Sequence, residues 1–482
     1  MEEYETEPDV PSLVFNDLRF PKTFLREEPR VQRQRKLARE LSGYNPFDGY
    51  GRLFVEPQSL EATAAAGCLS CVLLKDVCGR LCHTDQLWVG EGDMEGRRVF
   101  FLHNSPHRRP DRLDSLTPRG LFLHLKDDTY VIYTMEGEPC PWDAIPSLPW
   151  SGYLPTLDHV RRSVQCAFNY TLEEHIEPPV LPTRLVMLHD GQPQGNIGPV
   201  VPLEVRLIEP SSIAQTFKDD VCYIALSHCW GSPDVAARML QTTTETIGAF
   251  SRSILWGGLT KTFQDAMLVA KCLGIRYIWI DSLCIVQDDA QDWAVEASRM
   301  ASVYANAHLT ISAMGATDGH QGLFINTGSE PIRRRGVHEI KLPGLQYPIY
   351  VRNNECHQSA ASAYPLKLTD TPLLHRGWAF QERILSPLIL HFTESELTFD
   401  NKRGGSSCEC KELGHYINGT HSRDWLFGTG ISSLGCWPWY RMVEMYVPRL
   451  LTSEADRLPA FSGIATTFQR RLPALGSYLA GL

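Results

Sequence analysis

At 482 residues the chain is longer than one ordinary domain, and its 43% hydrophobic content can fill two or three cores. A formal net charge of −10, with no basic run longer than Arg333 to Arg335, excludes nonspecific binding to nucleic acid or to an anionic membrane surface. The opening MEEYETEPDV lacks the basic and apolar stretches of a secretory leader, and no apolar run could span a bilayer. The expected location is the cytoplasm, and the expected partners are proteins or small molecules.

Residues 1–60 are charged and poor in periodicity, and read as a loosely ordered lead with one short helix and no function of its own. Residues 61–140 read as a helix followed by a small β-rich module built from RRVFFLH, GLFLHLK and TYVIYTM. Cys68, Cys71, Cys78 and Cys82 fall largely on one face of that helix with Leu74, which favours packed thiols over a tetrahedral zinc cage. Residues 141–215 are rich in proline and read as a connector with a short helix and an extended LEVRLIEP. The fourteen cysteines are scattered, many within apolar runs, which suits reduced thiols better than a disulfide framework. The sequons at Asn169 and Asn418 are then chance matches.

Residues 216–400 carry the informative pattern. VCYIALSH, IRYIWID and AHLTISAM are apolar strands separated by helical stretches, a β-α-β-α-β unit with parallel pairing. Val221 to His228, Tyr277 to Asp281 and Leu309 to Ala313 are expected to be adjacent. Thr260 or Thr262 can cap the first helix, which Gly274 ends; Asp288 or Asp289 can cap the second, whose apolar stripe is Trp293, Ala297, Met300 and Tyr304.

Ligands of open α/β sheets sit outside the carboxyl ends of the strands, which draws attention to Ser227, His228, Asp281, Ser282 and Ser312, and to Glu296 near Trp293. A carboxylate beside an aromatic suits cleavage of a nicotinamide glycosidic bond, because the carboxylate stabilises an oxocarbenium-like centre while the aromatic holds a ring. In that chemistry Glu296 is the catalytic carboxylate. Ser227 and Asp281 would bind ribose hydroxyls, and Trp230, Trp293 and Trp378 would line the pocket. The competing reading pairs Glu296 with Arg299 in a partly exposed ion pair and buries Trp293 as core. CWGSPD is not a phosphate loop, which disfavours a Rossmann dehydrogenase, and adjacent His228 and Cys229 point to opposite faces of a strand and cannot form a nucleophile pair. Arg376, Gln381, Glu382 and Arg383 read as ion-pairing ties between a helix and the sheet. Cys408, Cys410 and His415 are too irregular to read as a metal site, so neither a metal nor a cofactor is expected.

The blocks YIALSHCWG, IWIDSLCIVQDD with DWAVEASRM, and RGWAFQERILSPLILHF resemble, in order, those of the fungal heterokaryon-incompatibility (HET) domain. LPTRL upstream and LTSEADRLPAFSGIA downstream resemble its flanks, and His228 stands where the family often has Tyr. The resemblance implies an α/β fold with a TIR/flavodoxin-like parallel sheet at 216–400, since HET domains are similar to Toll/interleukin-1 receptor (TIR) domains. It also implies a role in nonself recognition and programmed cell death, with protein partners of the incompatibility system and homo-oligomers. By likeness to NAD-cleaving TIR enzymes, DWAVEAS would bear the glutamate, with NAD as substrate rather than cofactor; those enzymes usually space Trp and Glu by four, whereas Trp293 and Glu296 are three apart. Residues 401–482 are expected to be a mixed C-terminal region, incomplete because such proteins usually continue further. The alternatives are a non-catalytic interaction module that signals by assembly and an inactive gene fragment.

Overall fold

The computed structural model describes residues 69–81, 180–189, 204–213, 222–324, 337–342, 344–353, 371–393, 397–401, 406–408 and 436–472. It also describes strands at 12–15, 18–21, 51–55, 100–104, 121–125, 128–135 and 147–148, and scattered positions in 61–67 and 157–164. Cys68, Cys82, Cys410, His415, both sequons and most of the proline-rich stretch lie outside the described residues. The chain forms two compact units, one of residues 1–152 with 336–357 and 410–414, the other of the remainder.

The first unit is built on a seven-stranded sheet. Strands 51–55, 100–104, 121–125 and 128–135 run antiparallel in chain order, and 147–148 pairs with 128–135. The hairpin Val337–Ile340 and Ile349–Asn353, far away in sequence, completes it by pairing with 128–135, with Tyr350 opposite Tyr133 and their rings stacked at 5.5 Å. Strand 51–55 comes from the stretch expected to be a loosely ordered lead. Cys71 and Cys78 are buried on helix Leu69–Leu81.

The second unit holds an eight-stranded sheet. In chain order its strands are β1 (Leu185–His189), β2 (Glu204–Ile208), β3 (Ile224–Ser227), β4 (Tyr277–Trp279), β5 (Leu309–Ser312), β6 (Leu388–Phe392), β7 (Leu397–Asn401) and β8 (Ser406–Cys408). Their order across the sheet is β8-β7-β6-β5-β3-β4-β1-β2. The central four are parallel, as the apolar runs predict, with β3 between β4 and β5. Every residue of β3, β5 and β6 is buried. The sheet as a whole is mixed, because β1 and β2 at one edge and β7 and β8 at the other add antiparallel pairs. An all-parallel core is corrected to that extent, and β1 and β2 come from the stretch expected to be a connector. Taken alone, the parallel strands run second, first, third, fourth, the order of flavodoxin-like doubly wound sheets.

Helices α1 (Lys261–Cys272), α2 (Asp281–Cys284), α3 (Ala290–Asn306), α4 (Gly377–Leu385), α5 (Trp437–Tyr446) and α6 (Pro459–Arg471) accompany it. Gly274 takes φ +78° just past α1, letting Ile275 N–H reach back to Ala270 O at 2.9 Å. Asp289 caps α3 by accepting from Gln291 and Asp292 N–H. Two tyrosine hydroxyls tie this part of the fold to backbone carbonyls, Tyr223 to Val303 at 2.6 Å and Tyr304 to Leu226 at 3.0 Å.

The C-terminal helices pack on α4 around Phe380, Tyr446 and Phe461, with the last two rings stacked at 4.8 Å. Residues 449–450 clamp the start of α4: Arg449 donates to Leu374 O, and Gly377 N–H donates to Leu450 O at 2.8 Å. Gly463 is the closest approach in this layer. A Cβ there would lie 2.2 Å from Ala301 Cβ and 2.7 Å from Gln381 Oε1, which accepts from Gly463 N–H. Gly463→Ala is expected to cost about 1–3 kcal/mol, since the contact is with Ala301 Cβ rather than a flexible tip. A lowered urea midpoint at unchanged slope is the measurement that checks this.

Candidate functional site

The parallel strands diverge in connection between β3 and β5, whose last residues, Ser227 and Ser312, are register partners. A crevice for ligands is expected at this switch point. Helix α4 brings Glu382 there. Its carboxyl is buried, within the electrostatic influence of the Ser227 and Tyr304 hydroxyls and of Arg376, and among the described residues Oε2 has no partner. His228 follows, buried with its ring edge-on to Phe263. Its Nδ1 stands 3.8 Å from Asp281 Oδ1, too far for a hydrogen bond, and neither ring nitrogen has a partner among the described residues.

Nearer the surface, Asp281 at the start of α2 accepts from Trp230 Nε1 at 2.9 Å and from Ser282 N–H at 2.8 Å. Arg376, half-buried just ahead of α4, donates to the His228 carbonyl. Ser227 also lines a cavity of about 10 Å³, room for one water, with Thr310, Ser312, Arg383 and His391. A groove of about 510 Å³ lies at the β1–β2 edge of the sheet, along Arg184, Arg206, Ile247 and Ser251. Among the described residues, no three or more His, Cys, Asp or Glu side chains gather closely enough to hold a metal ion.

Burial dominates the electrostatics. It raises the Glu382 carboxyl from 4.5 to about 7, against the opposing pull of the Arg376 cation and the Ser227 hydroxyl. It lowers the His228 imidazole from 6.5 to about 4, with Asp281 pulling the other way and Arg376 adding to the fall. At neutral pH the imidazole is uncharged.

The residues singled out from sequence fall into three places. Ser227, Trp230 and Asp281 belong to the strand-end cluster. Trp293 and Trp378 meet edge to face, with ring centroids 6.4 Å apart, and Trp378 Nε1 donates to Asp456 at 3.1 Å. Glu296 lies on α3 at 1% exposure, accepting from the Thr183 hydroxyl at 2.6 Å. Arg299 donates to the same Thr183 oxygen and stands 3.7 Å from Glu296, whose Oε2 has no partner among the described residues. The Glu296–Arg299 ion pair of the competing reading is present, with Arg299 exposed and the carboxylate buried. Thr183 sits in LPTRL, and the neighbouring Arg184 bonds Asp292 at 2.5 Å and Cys284 O at 2.7 Å, which anchors that motif to α2 and α3.

Of the third block, Arg383 pairs with Asp400 on β7 at 3.2 Å and Gln381 bonds α6, so these two act as ties. Glu382, its neighbour, turns to the strand ends instead. Sequence reasoning placed Tyr304 only in a core stripe and Glu382 only in a tie; the available signal was a carboxylate among Phe380, Ile384 and Leu385 on a largely apolar helix.

Residues 223–382 match the family described as heterokaryon incompatibility protein (HET). No curated protein and no solved structure matches the chain. The HET stretch opens one residue before β3 and ends on Glu382, so it spans the whole strand-end cluster. The match supports a role in fungal nonself recognition. Among the described residues no helix is long and apolar enough to cross a membrane.

The two shifted groups oppose each other in stability. Between pH 4.5 and 7 the folded protein keeps a Glu382 proton that the unfolded chain has lost, so stability falls as pH rises. Between pH 4 and 6.5 the unfolded chain holds a His228 proton that the folded protein lacks, so stability rises. Glu382→Gln removes the first slope alone. Its stability relative to wild type is expected to climb from pH 4.5 to 7 and then level off, by on the order of 3 kcal/mol in all. Urea midpoints across this range provide the check, and a pH-independent difference would contradict the assignment.

Proposed function

We propose that the HET stretch is the effector part of a fungal nonself-recognition protein that triggers programmed cell death by cleaving the nicotinamide–ribose bond of NAD, on a TIR-like core. The observation that carries this reading is Glu296, a buried carboxylate with one oxygen held by Thr183 and the other without a partner among the described residues, on the helix that bears Trp293. In the proposed reaction the glycosidic bond breaks, its electron pair leaves on the nicotinamide nitrogen, and Glu296 stabilises the ribosyl cation. Water then adds to the cation and gives up a proton. Trp293 and Trp378 would wall the ring beside Glu296, and the substrate would have to reach from there to the strand ends for Trp230 to wall the sugar and Ser227 and Asp281 to bind ribose hydroxyls. Substrate would displace Arg299, which is exposed, from beside Glu296.

A second reading, a non-catalytic module that signals by assembly with itself or with protein partners, draws support from exposed apolar side chains. Trp437, Tyr440 and Val447 stand open along and just past α5, and Leu450 and Leu458 follow.

Glu296→Gln separates the two readings, because it keeps size and hydrogen bonding while removing charge. For the enzyme, nicotinamide release from NAD by the purified protein should fall by roughly 10²–10⁴-fold with the fold unchanged. Cell death on overexpression should fall with it. A folded Glu296→Gln protein that still kills would favour assembly.

A further inference from the structure

We propose that the outer face of α5 is the surface through which two copies of this chain associate, as an antiparallel helix pair about a two-fold axis. The proposal rests on the assembly reading of the function and deepens it by naming the surface and the partner. It starts from a helix that is apolar on both sides. Pro438, Met442, Met445 and Tyr446 are buried, and the last three share a core with Phe380 and Phe461. Trp437, Tyr440 and Val447 follow one another by three and seven residues, which puts them on the opposite face, and each is between 49% and 66% exposed. Val447 keeps helical backbone angles, φ −51° and ψ −42°, so the stripe runs through it, and Leu450 stands exposed three residues further on. A helix that used only its inner face would be polar on this one.

The spacing suits a second copy of the same face. In a two-fold contact, if residue i meets residue j then j meets i, so the surface must be its own complement. An axis midway between Tyr440 and Val447 sets Tyr440 against Val447 of the second copy. Trp437, three residues outside Tyr440, then meets the segment three residues outside that Val447, where Leu450 is exposed. The charges fit the same axis. Arg441 and Glu444 pair with each other on one flank of the stripe, and the Arg441 guanidinium lies 5.8 Å from the centre of the Trp437 ring. Antiparallel pairing brings Glu444 of the second copy within two residues of Arg441 along the helix, about 3 Å of rise, so each carboxylate falls between two guanidiniums.

Area sets the strength. Two aromatic and two aliphatic side chains exposed to this extent offer on the order of 400 Å² per copy, about half of what each partner buries in a standard interface. The pair is therefore weak and reversible, and forms when the chain is concentrated.

Sedimentation equilibrium of the full chain, from about 1 μM to a few hundred μM, tests this. The mean mass should rise from one chain toward two, and Tyr440→Asp should hold it at one. Two charge variants test the axis. Glu444→Arg makes the flank wholly basic and Arg441→Glu makes it wholly acidic; each alone should stay monomeric, and their equal mixture should associate at least about tenfold more tightly than either. Should Arg441→Glu fail to fold, a Tyr440→Cys protein mixed with a Val447→Cys protein, both carrying Cys436→Ser, takes its place: a disulfide-linked pair that neither forms alone supports the axis, and its absence overturns it. A monomer at every concentration overturns the proposal, whatever else covers the face, as does association that Tyr440→Asp leaves intact or a charge mixture no tighter than its components. These readouts involve neither NAD nor cell death, so the two failures stay distinct: a monomeric Tyr440→Asp protein that still kills would remove assembly as the mode of action while the dimer stands.

Discussion

A polar cluster sealed between a parallel sheet and a helix must satisfy its hydrogen bonds from within, and the strand ends of this protein depend on that constraint. Ser227, His228, Tyr304 and Glu382 are all buried, so each polar atom they leave unmet carries a desolvation cost. Glu382 Oε2 and both His228 ring nitrogens have no partner among the described residues, and burial raises the carboxyl and lowers the imidazole, which favours the uncharged form of each.

The rest of the second unit keeps that helix in place. Arg449 holds the Leu374 carbonyl, Leu450 pairs with the start of α4, and Gln381 binds Gly463 on α6. Arg383 reaches Asp400, which His391 also approaches at 3.1 Å, so α4 is joined to β6 and β7 on its other side. The downstream block LTSEADRLPAFSGIA, which as sequence said little about mechanism, has a physical task here: it supplies α6, with a glycine where α3, α4 and α6 come closest. LPTRL has a comparable one. Its Thr183 and Arg184 bind Glu296, Asp292 and Cys284, so a motif ahead of the sheet orders the helix that carries the candidate carboxylate.

Much of the central architecture was legible because its signals are local. Long apolar runs without alternation read as strands buried on both faces, and β3, β4 and β5 are such strands in the expected parallel arrangement. Gly274 and Asp289 end and begin helices as their backbone preferences require. The antiparallel edges were not legible. VMLH and EVRLI are short, and nothing in five residues says which sheet edge they join. The hairpin at 337–353 is harder still, since it completes a sheet by pairing with a strand some two hundred residues earlier in sequence, at Tyr350 opposite Tyr133.

For the candidate site the division is the same. Ser227, His228 and Asp281 could be placed at strand ends from sequence, because strand direction and the connecting helices determine where a run's last residues point. The sequence by itself therefore determined the parallel core, its capped helices and the polar character of its carboxyl edge. The tertiary structure decided which charges are buried and which partners they keep. Glu296 and Glu382 are each a glutamate on an amphipathic helix, alike in any local pattern. One is held by the Thr183 hydroxyl, the other lies under the influence of Arg376, Ser227 and Tyr304, because residues distant in the chain are brought to them. Protonation and hydrogen bonding follow from those neighbours, and only the folded chain supplies them.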